Sequence, residues 1–146
     1  MADKLSLEVV TPFRTVLIED VDSVTLPGIE GELGILPEHV PLLTTLDTGI
    51  MSYVNGSGNT QAIAVHWGYA QVDGNNVRVL AELAETADEI DLPRAQEAET
   101  KARERLHSGD LSESEWEDEK SRQKIYENKL QRSVVRQAVA KFQKNS

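Results

Sequence analysis

The first 87 residues carry apolar side chains with a period of two. Leu5, Leu7 and Val9 are separated by polar neighbours. Val24 and Leu26 repeat the pattern in DSVTLP, Ile63 and Val65 in QAIAVH, and Val77 and Val79 in NVRVL. Successive side chains of a strand point to opposite faces, so each set predicts a strand with one buried face. Turn clusters separate them: PG at 27, NGSGN at 55 and DGNN at 73. Asn55-Gly56-Ser57 has the form of a glycosylation sequon but is read as part of a turn. Short strands at even spacing with such turns predict an antiparallel β-sandwich or barrel.

From residue 88 glycine and proline nearly vanish and the period lengthens. Asp91 is placed to cap a helix whose first turn holds Pro93, where a missing N–H costs little. Ala95, Ala98, Ala102 and Leu106 follow at helical spacing. HSGD at 107–110 interrupts the run, and Ser112 with Glu115 fits a capping box for a second helix. That helix carries Tyr126, Leu130, Val134, Ala138 and Phe142, expected on one side, and its acidic start and basic end suit the helix dipole. The expected fold is therefore mainly β plus α: a sandwich domain over 1–87 and a helical hairpin over 88–146.

The hairpin's expected seam is thin. At about 0.8 kcal/mol per buried CH₂-sized group, alanines and single leucines contribute only several kcal/mol. Ordering each backbone residue costs roughly 1–2 kcal/mol. Such an element depends on a docking surface and could exchange one surface for another.

One stretch departs from simple alternation. GELGILPEHVPLLTTLDTG, residues 31–49, packs Leu33, Ile35, Leu36, Val40, Leu42, Leu43 and Leu46 among glycines and prolines. Leu33, Ile35 and Leu36 are expected under the sandwich. Some of Val40, Leu42 and Leu43 are expected to face outward, where a contiguous apolar patch marks a contact surface. The flanking prolines lower the ordering cost of binding.

Charge divides the chain further. Residues 1–87 hold three basic and twelve acidic side chains, 88–119 four and twelve, and 120–146 eight and one, so a basic arm of net +7 ends an acidic body. The overall −10 argues against a general nucleic-acid binder. Without cysteine there are no disulfides or thiolate metal sites. MADKLSLEVV lacks the apolar run of a signal peptide, and no run approaches the roughly 18 apolar residues of a membrane span. A cytosolic protein, or one peripheral on a cytosolic face, is expected.

Catalytic patterns are missing. No P-loop, metal-ligand helix motif or nucleophile elbow occurs. His39, His66 and His107 lie far apart in unlike contexts. His39 beside Glu38 reads as a surface turn, and His66 before Trp67 as a structural residue at a strand end.

GIEGELGILPEHVPLLTTLDTGIM, then HWGYAQVDGNNVRVLAE, then a helical hairpin together resemble the epsilon subunit of F-type ATP synthase over almost the whole chain. The resemblance implies a non-catalytic rotor subunit that couples and regulates. It implies partners: the gamma subunit and the c-subunit ring through the sandwich, and the alpha and beta subunits when the hairpin extends and inhibits ATP hydrolysis. Glu32, His39, Val40, Leu42 and Leu43 would meet the c-ring. No cofactor is required and no metal is implied. The location implied is the cytoplasmic face of a bacterial plasma membrane, peripheral through the complex.

IDLPRA, Ile90 to Ala95, is similar to the motif by which some bacterial epsilon subunits bind regulatory ATP. The implied site holds Glu85, Ile90, Asp91, Arg94, Lys101, Arg132 and Arg136. Arg132 and Arg136 stand one helical turn apart, and paired guanidinium donors suit polyphosphate. Where the ATP-binding members can carry another arginine in the first helix, this chain has Lys101, which lacks the planar fork. Read structurally instead, Asp91 caps the helix, Ile90 packs beside it and Arg94 pairs with an acid. Two other classes stand beside the rotor reading: a free-standing ATP-sensing module, and an enzyme on a sandwich scaffold.

Overall fold

The computed structural model describes residues 3–107 and 116–144, with the backbone alone at 107, 116–123 and 143–144. The HSGD interruption beyond His107 and the Ser112–Glu115 capping box lie outside the described residues. Seven strands come first: β1 (Leu5–Val10), β2 (Thr15–Gly28), β3 (Gly31–Ile35), β4 (Leu42–Leu46), β5 (Gly49–Asn55), β6 (Thr60–Asp73) and β7 (Asn76–Thr86). A 3₁₀ turn (Ala87–Glu89) leads into α1 (Leu92–His107) and α2 (Trp116–Lys144). The expected β-sandwich followed by a two-helix hairpin is what the chain adopts.

The ladders close on themselves. β1 pairs with β7, β7 with β6, β6 with β5, β5 with β2, and β2 with β1. The β1–β7 pairing is parallel and the others are antiparallel. β2 and β6 are long enough to serve both layers: β6 pairs with β5 through its first half and with β4 through its second. Alternation fills the interior with Leu5, Leu7, Val9, Val24, Leu26, Ile63, Val65, Val77 and Val79, all essentially without solvent contact.

The alternation changes phase within β6. Ile63 and Val65 point into the core, and so do Ala70 and Val72. Odd positions face inward before residue 67 and even positions after it. Trp67, at φ +50°, is where the strand turns. A bulky residue rarely takes that conformation, so the surrounding ladder must enforce it. Gly68 follows because a Cβ there would stand 2.0 Å from the Leu80 carbonyl oxygen. β7 changes phase opposite, from Ala81 to Ala84. His66 is not at a strand end, although its place before Trp67 suggests one. It lies inside β6, at the corner where the ribbon passes from one layer to the other.

Before the corner, β6 turns Ala62, Ala64 and His66 outward, and α2 covers them. Ala62, Ala64 and Ile90 meet Val139 and Ala140 in a small second cluster. The hairpin seats on the sheet through α2, against β5, β6, β7 and the 3₁₀ turn, while α1 packs on α2.

Ala95 and Ala102 are buried and Ala98 and Leu106 half-buried, which matches the stripe expected for α1. The α2 stripe needs correction. Tyr126 and Leu130 are half-buried, but Val134, Ala138 and Phe142 face outward, and the buried positions are Ser133, Gln137, Val139 and Ala140. A line of i+4 steps drifts about 40° around the helix at each step, so one that starts on the inner face leaves it within three turns. The pattern 133, 137, 140 mixes steps of four and three and stays on the inner face.

Candidate functional site

Asp91 fixes the start of α1. Its Oδ1 accepts the Arg94 N–H at 3.2 Å, and its carbonyl accepts the Ala95 N–H at 3.0 Å. With that start, Arg94, Lys101 and Arg105 fall on the side of α1 that faces α2 and the sheet. On α2, Lys129, Arg132 and Arg136 follow at spacings of three and four, so they share a face. Glu85 enters from β7. These residues line one cleft of about 1050 Å³ between the hairpin and the sheet, together with Leu83, Ala98, Ala102 and Tyr126.

Five of the seven residues implied for a nucleotide site, Glu85, Arg94, Lys101, Arg132 and Arg136, line this cleft. Ile90 and Asp91 do not. Ile90 is buried with Val139 and Ala140, and Asp91 is the helix cap. Arg105, Lys129, Tyr126 and His66 also line the cleft and were missed. The first two continue the cationic faces at helical spacing, a signal the sequence did contain. Nothing in the sequence brings Tyr126 or His66 to the same wall.

Six cationic side chains line the cleft against two carboxylates, Glu85 and Glu104. Lys101 pairs with Glu97 at 3.0 Å, and Arg132 approaches Glu82 at 3.9 Å. Lys129 stands 5.3 Å from the centre of the Tyr126 ring, within cation–π range. Arg136 Nη2 donates to Glu85 Oε2 at 3.0 Å, and Arg136 Nε lies 2.9 Å from Oε1. Burial alone would push the Glu85 carboxyl up. The nearby His66 ring and the Arg136 guanidinium outweigh it and hold the group below the usual carboxylate range. Excess guanidinium and ammonium charge beside an apolar wall of Ala98, Ala102 and Leu83 suits a ligand with a polyanionic end and a flat apolar end. Among the described residues, no cluster of histidines and acids is placed to hold a metal ion.

The proline-bracketed stretch folds as two strands joined by an exposed loop. The His39 N–H donates to the Leu36 carbonyl at 3.1 Å, closing a turn with Pro37 second and Glu38 third at φ +69°. The Glu38 N–H donates to Asn75 Oδ1 at 2.8 Å, tying the loop to the β6–β7 turn. Ile35 is core, as the core reading requires, and Leu33 is half-buried against it; Leu46 is core as well. Leu36 was expected in the core and is 63% exposed, beside Val40 at 70% and Leu43 at 73%. Leu42 was grouped with the outward residues, but it is half-buried against the core, because β4 alternates and Leu43 takes the outer side. Glu32 is exposed on β3, and His39 is half-buried with its Nδ1 2.7 Å from the Val40 carbonyl.

A third surface lies past the β6 corner. Register places Val10, Leu80, Tyr69 and Thr45 in one row across β1, β7, β6 and β4. Trp67, Tyr69 and Leu80 are exposed there and, with Val10 and Pro12, line a cleft of about 510 Å³. The Asn55 turn is as expected: Asn55 Oδ1 accepts the N–H groups of Ser57 and Asn59, each at 3.0 Å. No helix among the described residues is long and apolar enough to cross a membrane.

Residues 4–87 match the family model of the ATP synthase delta/epsilon chain β-sandwich domain. The ATP synthase epsilon chain of Carboxydothermus hydrogenoformans is 57% identical over 106 residues, 73% of this chain and 78% of that one. The epsilon chain of Geotalea uraniireducens is 47% identical over 140 residues, 96% of each. A chain in the cryo-EM structure of the Euglena gracilis mitochondrial ATP synthase (OSCP/F1/c-ring) has the same fold, with TM-score 0.77 over 92% of this chain and 80% of that one, at 23% identity. The chain belongs to the ATP synthase epsilon family.

Proposed function

We propose that the chain is a rotor subunit of the central stalk, coupling proton-driven rotation to ATP synthesis through its sandwich and restraining ATP hydrolysis through its hairpin. The chemistry belongs to other subunits, and this chain holds no active site of its own. The row of Val10, Leu80 and Tyr69 with Trp67 is the face for the gamma subunit. Leu36, Val40 and Leu43, with Glu32 and His39, form the surface for the c-ring loops. The division at residues 87 and 88 separates attachment from control. The complex holds the chain peripherally at the cytoplasmic face of a bacterial plasma membrane.

The observation that carries the regulatory part is the hairpin's seat. It rests mainly on alanines, with Ile90, Val139 and the partly buried Leu92 and Val135, and a few polar contacts, so little large apolar surface holds it and it is releasable. Once released, the basic end of α2 and its outward Val134, Ala138 and Phe142 are available to the alpha and beta subunits. Complementary charge would orient that contact more than strengthen it.

Deleting 88–146 is expected to leave assembly intact and raise ATP hydrolysis by the complex. Unchanged hydrolysis would remove the hairpin from regulation. A tagged chain is expected to bring down the gamma and c subunits from a lysate.

The cationic cleft supports a second element, reversible ATP binding that favours the folded hairpin. Arg132→Ala or Arg136→Ala should weaken ATP titrations, and curves equal to wild type would exclude those residues. A free-standing ATP sensor would bind the nucleotide with no partners in the pull-down.

A further inference from the structure

His66 is fully buried on β6 beneath α2, and among the described residues neither of its ring nitrogens has a hydrogen-bond partner. Desolvating a polar ring without replacing its bonds is unfavourable, so this arrangement calls for an explanation. The nearest charged group is Glu85 on the paired strand, with Nε2 3.6 Å from Oε1. The two oxygens of that carboxylate differ. Oε2 accepts the hydrogen bond from Arg136. Oε1 is close to Arg136 Nε but accepts no hydrogen bond. An unsatisfied oxygen thus faces an unsatisfied imidazole nitrogen, and a small side-chain rotation would join them.

We propose that Glu85 is an internal counter-anion, holding Arg136 in the ligand-free chain, and that an entering polyphosphate takes Arg136 while Glu85 passes to His66, which takes a proton from solvent. This rests on reading the cleft as a nucleotide site, and it reverses the role of Glu85 there: the carboxylate competes with the phosphates for Arg136. Arg136 lines the cleft, so a polyanion between α1 and α2 can reach it. Losing Arg136 would leave Glu85 a poorly solvated charge without a cation, a costly state. Histidine is the side chain that can supply a replacement cation near neutral pH.

The charged groups around His66 set the direction of the coupling. Arg94, Lys101, Arg105 and Glu104 face the cleft from α1, Lys129, Arg132 and Arg136 from α2, and Glu85 from β7, with Glu82 near Arg132. Cations outnumber carboxylates among them. Polyphosphate cancels that excess and frees the carboxylate, and both changes favour protonated His66. His66 is therefore a positioning residue: it receives Glu85 and couples ligand entry to proton uptake.

The test is calorimetric titration of the full chain with sodium triphosphate, and separately with ATP, near neutral pH in buffers of different ionisation enthalpy. Wild type should take up more protons than His66→Gln, by up to about one per anion bound, and the variant should bind the anion several-fold more weakly at and below neutral pH, because Glu85 then has no replacement cation. Glu85→Gln should lose the same uptake, which covers the case of a poorly folded His66 variant. Imidazole ¹⁵N spectra of the wild type should show His66 moving to the imidazolium position on saturation. Binding with equal proton uptake in all three chains and an unmoved His66 signal overturns the exchange but leaves the nucleotide site. Failure of wild type to bind either anion overturns the site, and the exchange falls with it.

Discussion

Between the sandwich layers lie Leu5, Leu7, Val9, Leu26, Ile35, Leu46 and Met51, none with appreciable solvent contact. Between α2 and β6 lie Ala62, Ala64, Ile90, Val139 and Ala140, flanked by Ser133, Gln137 and the Glu85–Arg136 pair. Large aliphatic side chains in the first region lose surface that no other environment in the cell replaces as well. The second region loses little apolar surface and adds ion pairs and hydrogen bonds, which another protein or water can substitute. Under the proposed function that difference would separate a permanent body from a detachable element, and the two regions should then respond independently to substitution.

The largest effect is expected in the core. Leu7→Ala should lower the unfolding free energy of the sandwich by about 3 kcal/mol, through lost transfer energy and a cavity. Val139→Ala should cost about 1 kcal/mol and appear as faster amide exchange in α2, with the sandwich's denaturation midpoint unmoved. Equal losses from both, in the same transition, would mean that sandwich and hairpin unfold as one unit.

Next comes the ion pair at the seat. Arg136→Ala removes the cation from a Glu85 carboxylate that is mostly shielded from water. A fully buried pair broken this way costs about 3–5 kcal/mol, and the partial exposure of both partners lowers the expectation to about 2 kcal/mol. The loss should fall on hairpin docking, read by exchange across 131–140 or by a distance probe between α2 and β6. A matching loss in sandwich stability would place Arg136 in the body instead.

The same pair gives the seat a pH dependence that the apolar core lacks. The Glu85 carboxyl is held below its ordinary range in the docked state, so docking disfavours its protonated form. Its contribution is fully present above the ordinary carboxylate pKa and is lost as pH falls through the depressed value. Acidification should therefore free the hairpin before the sandwich unfolds, and Glu85→Gln should flatten that step. An unchanged acid transition in the variant would assign it to other carboxylates.

How far the sequence could anticipate these regions follows from their materials. The sandwich was legible because alternation of Leu5, Leu7 and Val9, or of Val77 and Val79, is the signal that core burial itself writes. The phase change at Trp67 was not, since it depends on two neighbouring strands turning together, and its cue, Gly68, is ambiguous alone. The α2 face was misread because Val134, Ala138 and Phe142 continue an i+4 line from Tyr126 that drifts off the inner face, whereas packing selected Ser133, Gln137, Val139 and Ala140 for their place on the helix. Of the cleft, the arginines were visible through helical spacing and the IDLPRA resemblance. Tyr126 and His66 reach it only through tertiary placement.

The smallest effect separates the hairpin's internal seam from its seat. Gln137 is buried, and its Nε2 donates to Glu99 Oε2 on α1 at 2.6 Å. That bond, first, and then Arg103, one turn further along α1, hold the Glu99 carboxyl below its usual range. In Gln137→Ala, Glu99 keeps Arg103 and its access to water, so no buried charge is stranded. Only the net worth of one hydrogen bond to a charged group in a partly solvated place is lost, about 1 kcal/mol. Amide exchange should quicken in α1 while contacts of α2 with Ala62 and Ala64 persist, because α1 is held chiefly through α2. If α2 loosened from the sheet to the same degree, seam and seat would be a single cooperative contact, and the hairpin would have to leave the sandwich already opened.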